Sequence, residues 1–169
     1  ASIISRYQDP DGDLGISDEG WEIAAKFLGN AHNIADGEDA VGSVIDGTYP
    51  MDEHWASGVL TEQKDRDYKF QIMTPDVGEP YVVESLAISA GTKKYDTCVA
   101  FLNWLGSSDV QLDWSNNYGT IPCQKEALAQ VSDDIKELME TLKPQDLDWS
   151  FIAENVDAWV EKAELEYVQ

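Results

Sequence analysis

Stretches in which apolar residues recur every three or four positions take up much of the chain, and this spacing predicts amphipathic helices. The clearest case follows Ser17, a suitable N-cap residue, and ends near Gly29, a residue that favours helix termination. Further helices are predicted for residues 37–47, 93–105, 108–119, 123–131, 133–143 and 150–168.

Other stretches place apolar, aromatic and β-branched residues at alternate positions or in short runs, which predicts strands. They are residues 2–8, 53–60, 68–75 and 81–89. Residues 9–15 are rich in turn formers, and the charged residues 61–67 predict a surface loop. Strands lie among helices in the first half and the second half is helical, so we predict an α/β fold with few strands and several covering helices.

Length and charge narrow the classes of function. A chain of 169 residues is long enough for one domain with a hydrophobic core. With 33 acidic residues against 11 basic ones, the net charge is −22. A field of this sign repels phosphate backbones and anionic lipid surfaces, so we predict no nucleic-acid partner. The same charge is also explained simply as a well-solvated surface.

Metal, redox and catalytic signals are weak. Cys98 and Cys123 form no CxxC motif, and the helical pattern predicts a buried free thiol for Cys98. The two histidines lie far apart, which argues against zinc. The acidic turn "DPDGDLG" lacks the downstream bidentate Glu of a calcium loop. No nucleophile or phosphate-binding motif is present, so we predict no cofactor, no metal and no enzymatic activity.

Residues 84–111, "ESLAISAGTKKYDTCVAFLNWLGSSDVQ", resemble the extracellular solute-binding proteins of ABC importers, the type 2 periplasmic binding proteins. In that family a strand and a small turn precede a helix with a Phe and a Trp-Leu pair, here Phe101, Trp104 and Leu105, followed by Ser107 and Gln111. Residues 36–60 and "GTIPCQKEAL" are similar to neighbouring family elements. The iron(III)-type and polyamine-like group is the most similar one.

The resemblance implies that residues 1–169 form a periplasmic-binding-protein-like lobe, either a single domain or a fragment, as the C-terminal portion of a two-lobed protein. Such a protein captures a small-molecule solute outside the cytoplasmic membrane, in the periplasm or at the cell surface with or without a lipid anchor. It delivers the solute to a membrane permease. A homodimer through the exposed cleft face is a further expectation. The alternatives are a self-association module and an enzyme on the same scaffold.

Three ligand-binding residues are expected near two of these elements. Ser17 begins a helix after a Gly-rich turn, where free backbone N–H groups bind anions, although it is equally explained as a plain N-cap. Trp55 and Ser57 lie on the element that the resemblance places at the cleft. Iron-binding relatives carry adjacent tyrosines there, and "Trp-Ala-Ser" in their place argues against ferric iron.

Tyr81 and Glu84 complete the expected set, on the strand predicted for residues 81–89. They lie three positions apart, on opposite faces of a strand. A carboxylate among Val82, Val83 and Leu86 requires water, a partner or a ligand. We therefore expect Glu84 to face a cationic or polar organic solute, or else to face solvent at the edge of the sheet.

Overall fold

The computed structural model describes residues 1–168, and the chain divides into two compact units. Unit 1 contains Ala1–Glu38 and the chain from Gln145 onward, and unit 2 is Asp39–Pro144. The elements in chain order are a 3₁₀ turn (Ile4–Arg6), β1 (Gln8–Asp13), α1 (Asp18–Gly29), α2 (Ala40–Ile45), α3 (Ala56–Arg66), α4 (Tyr95–Leu105), α5 (Ser108–Tyr118), α6 (Lys125–Leu128), α7 (Asp133–Thr141) and α8 (Trp149–Glu166).

Unit 1 is built around the turn that follows β1. The chain reverses at Leu14 and Gly15, both at positive φ (51° and 74°), and Ile16 then bridges back to Gln8. The indole N–H of Trp21 donates to the Asp13 carbonyl at 3.0 Å, and the indole N–H of Trp159 donates to the Leu14 carbonyl at 3.0 Å. Helices α1 and α8 thus each hold this turn through a buried tryptophan.

The hydrophobic core of unit 1 closes over these two tryptophans. Its buried members are Ile4, Ile16, Trp21, Ala24, Ile152 and Trp159. Phe151 packs edge-on against Trp159, with ring centroids 5.3 Å apart. The predicted Ser17 cap is confirmed, because its Oγ accepts from the Gly20 N–H at 3.3 Å. At α8 the cap is Asp148, whose carboxylate accepts from the Phe151 N–H at 3.0 Å.

Unit 2 is an assembly of short helices in which α5 packs against α3, α4 and α6. Its buried apolar side chains are Pro122, Ala127, Val131, Ile135 and Leu138, all from α6, α7 and the segments beside them. Cys98 in α4 is a half-buried free thiol, less buried than predicted, and Cys123 is an exposed free thiol. Most of the chain's exposed large apolar side chains belong to this unit.

The strand predicted for residues 53–60 is wrong, and so is the loop predicted for residues 61–67. Helix α3 runs through both, from Ala56 to Arg66. Leu60 and the Glu, Gln, Lys and Arg residues that follow are good helix formers, and Glu62 pairs with Arg66 one turn later. These local preferences outweigh a short alternation of apolar residues.

The other predicted strands are also absent from residues 1–168. Residues 2–8 contain the 3₁₀ turn, and β1 runs from Gln8 to Asp13, across most of the turn predicted for residues 9–15. Residues 68–75 and 81–89 have no regular secondary structure. A strand is stable only when its backbone N–H and C=O groups find partners on a neighbouring strand. The described chain is mostly helical and offers these two stretches no such neighbour.

Candidate functional site

The N-terminus of α3 presents the most exposed tryptophan of the described chain. Trp55 occupies the N-cap position, with 70% of its surface exposed. Its carbonyl accepts from the Val59 N–H at 3.0 Å, but its side chain caps no amide. The N–H groups of the first turn, at Ala56, Ser57 and Gly58, have no hydrogen-bond partner among residues 1–168. A polar group of a ligand could therefore bind beside the indole face.

The His54 ring packs against this first turn. A Cβ at Gly58 would lie 2.5 Å from His54 Nε2, so the ring occupies space that only a glycine leaves open. His54 Nδ1 lies 3.6 Å from Asp52 Oδ2, which orients the imidazole. The imidazole therefore lies against the first turn of α3, at whose N-cap position Trp55 stands.

Ser57 is half-buried, and its position is determined by backbone packing. Gly119, at the C-terminus of α5, has φ +68° and lies so close that a Cβ there would be 2.6 Å from the Ser57 carbonyl oxygen. That carbonyl also accepts from the Thr61 hydroxyl at 3.5 Å. The first turn of α3 is therefore seated directly on the end of α5.

Tyr81 and Glu84 lie in the irregular stretch of the same unit. Tyr81 is partly exposed, and its pKa is raised by burial and by the charge of Glu79. Glu84 is exposed and has neither a hydrogen bond nor an ion pair within residues 1–168. No hydrogen bond, ion pair or ring contact joins Trp55 to Glu84 within the described chain. Both side chains are available to solvent, and neither packs in an interior.

Ser17 lies in unit 1, whereas Trp55, Ser57, Tyr81 and Glu84 lie in unit 2. Its hydroxyl is engaged as the N-cap of α1. The structure thus gives Ser17 a structural role and leaves its ligand contact as a prediction.

Residues 4–143 match the family model described as bacterial extracellular solute-binding protein. The chain belongs to this family. It is also 34% identical over 169 residues to the probable ABC transporter periplasmic-binding protein y4fP of Sinorhizobium fredii. That match covers 100% of this chain and 47% of the relative, so the chain spans about half of the relative's length. No solved structure matches the chain.

Membership of this extracellular family places the protein outside the cytoplasmic membrane. None of the helices within residues 1–168 is long and apolar enough to cross a membrane. The family description is that of a binding protein, which agrees with the absence of catalytic motifs from the sequence.

A network around Arg66 was not predicted from the sequence. Its guanidinium donates to both carboxylate oxygens of Asp39, at 2.8 and 2.9 Å, and to Glu62 one turn earlier. The hydrogen bonds from Arg66 hold the pKa of Asp39 below its usual value, and Asp39 also caps α2 through the Gly42 N–H. The spacing of Glu62 and Arg66, four residues apart, could have indicated their ion pair. The contact between Arg66 and Asp39 joins residues 27 positions apart, and no sequence pattern indicated it.

Two shallow depressions lie in unit 1, and neither is lined by an expected ligand residue. One, of about 500 Å³, is lined by Ser5, Arg6, Gln8, Asp146, Leu147 and Asp148. The other, of about 390 Å³, already holds the Lys162 ammonium, which lies 3.1 Å from Asp13 and 5.2 Å from the centre of the Trp21 ring. The hydrogen bond that Lys162 donates to Glu166 raises the pKa of Lys162 above its usual value.

Metal ligation finds no support within residues 1–168. No group of three or more His, Cys, Asp or Glu side chains lies close enough together to hold an ion.

Proposed function

We propose that this chain is the C-terminal portion of a two-lobed α/β solute-binding protein, which captures a small solute outside the membrane and delivers it to an ABC permease. The observation that carries the proposal is the family match over residues 4–143. The relative's name, a probable ABC transporter periplasmic-binding protein, and the match over 47% of its length support it. A protein that binds its solute by closing two lobes around it needs no catalytic residues.

We further propose that the solute contacts the N-terminus of α3. The exposed face of Trp55 would stack on the solute or bind a cationic group, and Ser57 with the open amides would bind a polar atom. Tyr81 and Glu84 would add a phenol and a carboxylate. Ser17, in unit 1, stays a separate prediction of a ligand contact. Glu84 and the net charge of −22 favour a cationic or polar organic solute.

Within the iron(III)-type group that the resemblance indicates, this chain would depart from ferric binding. Trp55, Ala56 and Ser57 stand where iron-binding relatives carry two phenolate ligands. The second candidate partner is another copy of the chain, meeting at the exposed apolar face of unit 2. The exposed side chains of unit 2 favour such a dimer, and the repulsion between two chains of charge −22 opposes it.

A thermal-shift screen with matched variants tests the solute site. The probes are spermidine, an alkylphosphonate, a monosaccharide and ferric citrate, each added to the chain and to its Trp55→Ala and Trp114→Ala variants. A ligand at about 100 times its Kd stabilises the folded state by about 2.7 kcal/mol. We expect a shift with spermidine or another organic probe that Trp55→Ala removes and Trp114→Ala, an exposed tryptophan of the same unit, retains.

A shift with ferric citrate alone would overturn the solute class. A shift that survives Trp55→Ala would overturn the site. The absence of a shift with every probe would contradict the proposed solute site at the N-terminus of α3.

A further inference from the structure

The acidic side chains of this protein greatly outnumber the cations that pair with them. Of the 33 carboxylate side chains, seven form an ion pair with a Lys or Arg within residues 1–168. A net charge of magnitude about 2–8 is enough to keep a small domain in solution, so −22 is more than solvation of the surface requires. The excess carboxylates repel one another, and this repulsion weakens the compact state.

Helix α8 concentrates the repulsion along one side. Its exposed residues Glu154, Asp157, Glu161 and Glu164 follow one another at spacings of three, four and three positions, and they form the acidic face of α8. Carboxylates at these spacings are neighbours on a helix surface, and each like-charged pair destabilises the helix. None of the four carboxylates accepts a hydrogen bond or forms an ion pair within residues 1–168.

The C-terminal end of α8 adds a second unfavourable feature. The carbonyl end of a helix carries partial negative charge, which favours cations and disfavours anions. The last turn of α8 has no basic residue, although Glu164 and Glu166 lie there. Lys162, the single cation of α8, is already engaged by Asp13 at 3.1 Å and by Glu166 at 2.7 Å. The acidic face therefore has no cation of its own helix to offset it.

Unit 1 depends on this helix, because the buried side chains of Ile152 and Trp159 carry α8 into the hydrophobic core. Salt screens the repulsion, since the Debye length falls from about 10 Å at 0.1 M to about 3 Å at 1 M, and helix neighbours lie about 5–6 Å apart. We infer that this chain is adapted to concentrated salt, and that dilute buffer destabilises it through the acidic face of α8. The adaptation holds for whichever solute the protein binds.

Thermal unfolding at increasing salt concentration tests the adaptation. The full chain is heated in KCl from about 0.1 M to about 2 M, and unfolding is followed by circular dichroism. We expect the Tm to rise by about 10 °C or more across the series, because the carboxylates repel one another only where salt does not screen them.

A double variant locates the effect in α8. Asp157→Asn with Glu161→Gln removes all three like-charged pairs of the acidic face and keeps the size of both side chains. We expect this variant to raise the Tm by roughly 4–8 °C in dilute KCl. In concentrated KCl the gain should fall below about 2 °C, because the repulsion is already screened.

The matched control removes two carboxylates from positions that favour negative charge. Asp96 and Asp109 are exposed and lie in the first turns of α4 and α5. Asp96→Asn with Asp109→Asn changes the net charge by the same amount as the α8 variant. It should not raise the Tm at any salt concentration, because a carboxylate near a helix N-terminus is stabilising.

Four results would overturn the inference. The first is a Tm that does not rise with KCl, and the second is a rise as large in the α8 variant as in the wild-type chain. The third is a control variant that gains as much stability in dilute KCl as the α8 variant. The fourth is a full rise caused by millimolar Mg²⁺ at low ionic strength, which would indicate a specifically bound ion in place of screening.

Discussion

Unit 1 and unit 2 bury their apolar side chains to very different extents. Unit 1 is the smaller, yet it buries two tryptophans and three isoleucines around one turn. Unit 2 is longer, but its buried apolar side chains come from one small region around α6 and α7. In unit 2 the packed helices leave many large apolar side chains exposed, and the stretches between them form no sheet that could cover these side chains.

Polar groups show the same contrast. In unit 1 both buried indole N–H groups reach backbone carbonyls of the turn. Within residues 1–168, Glu79 Oε1 and Ser115 Oγ are buried without a hydrogen-bond partner, and both belong to unit 2. A buried polar atom without a partner costs free energy, so unit 2 carries a penalty that unit 1 avoids.

The largest expected effect comes from removing one tryptophan in each unit. Trp159→Ala should lower the free energy of unfolding by about 3–5 kcal/mol, because it leaves a cavity and removes the hydrogen bond to Leu14. Trp104→Ala removes a side chain that is 54% exposed and should change stability far less. Urea unfolding followed by circular dichroism measures both. Similar losses for the two variants would refute the contrast between the units.

Serine caps offer a finer comparison, because Ser17 and Ser132 make the same contact in different units. Ser17 accepts from the Gly20 N–H, and Ser132 accepts from the Ile135 N–H. Ser17→Ala should cost about 1 kcal/mol of global stability, since α1 packs in the closed core, and Ser17→Asp should restore it.

For Ser132→Ala, we expect faster amide exchange in α7 and little change elsewhere. Exchange measured helix by helix tests both serines. A global effect of Ser132→Ala would show that unit 2 is more cooperative than its open surface indicates.

The smallest expected effect is a pH dependence inside unit 2. The folded pKa of Asp39 lies below 3.8, its ordinary value, because of Arg66. A depressed carboxyl pKa stabilises the folded state above the unfolded value, and this contribution is lost as the pH falls through the folded pKa. Exchange in α2, corrected for the intrinsic rate, should therefore accelerate below about pH 4.

Asp39→Asn should remove most of this acceleration, whereas Asp76→Asn, in an exposed turn, should leave it unchanged. An identical acid response in the wild-type chain and in Asp39→Asn would show that the Arg66 network does not hold α2.

Helices with clear periodicity and caps were predictable from the sequence. The pattern after Ser17 gave α1 nearly to the residue, and α4, α5, α7 and α8 follow the apolar repeats closely. The failure at residues 53–60 has a local cause, because an eight-residue stretch with Trp, Val and Leu suits either a strand or a helix. The pairing of Glu62 with Arg66 would have favoured the helix.

The candidate solute site was less predictable than the helices, because local sequence preferences do not determine how its residues are displayed. Trp55 and Glu84 are accessible to solvent, as a ligand-binding role requires, but no sequence pattern indicated that the indole would stand at the N-terminus of a helix. Residues 81–89 have the composition of a strand and no partner in the described chain. Such a stretch forms a strand only when a neighbouring strand pairs with it, and a local pattern does not reveal that neighbour.

Gly119 has a consequence for how relatives could change specificity. The end of α5 meets α3 through backbone atoms, with the Ser57 carbonyl 2.6 Å from where a Cβ at Gly119 would be. Under the proposed solute site, side chains at positions 54, 55 and 57 could therefore vary with the solute without shifting the helix that displays them. Any residue larger than glycine at position 119 would push that helix away. Among relatives we therefore expect different residues at positions 54, 55 and 57 but glycine at position 119.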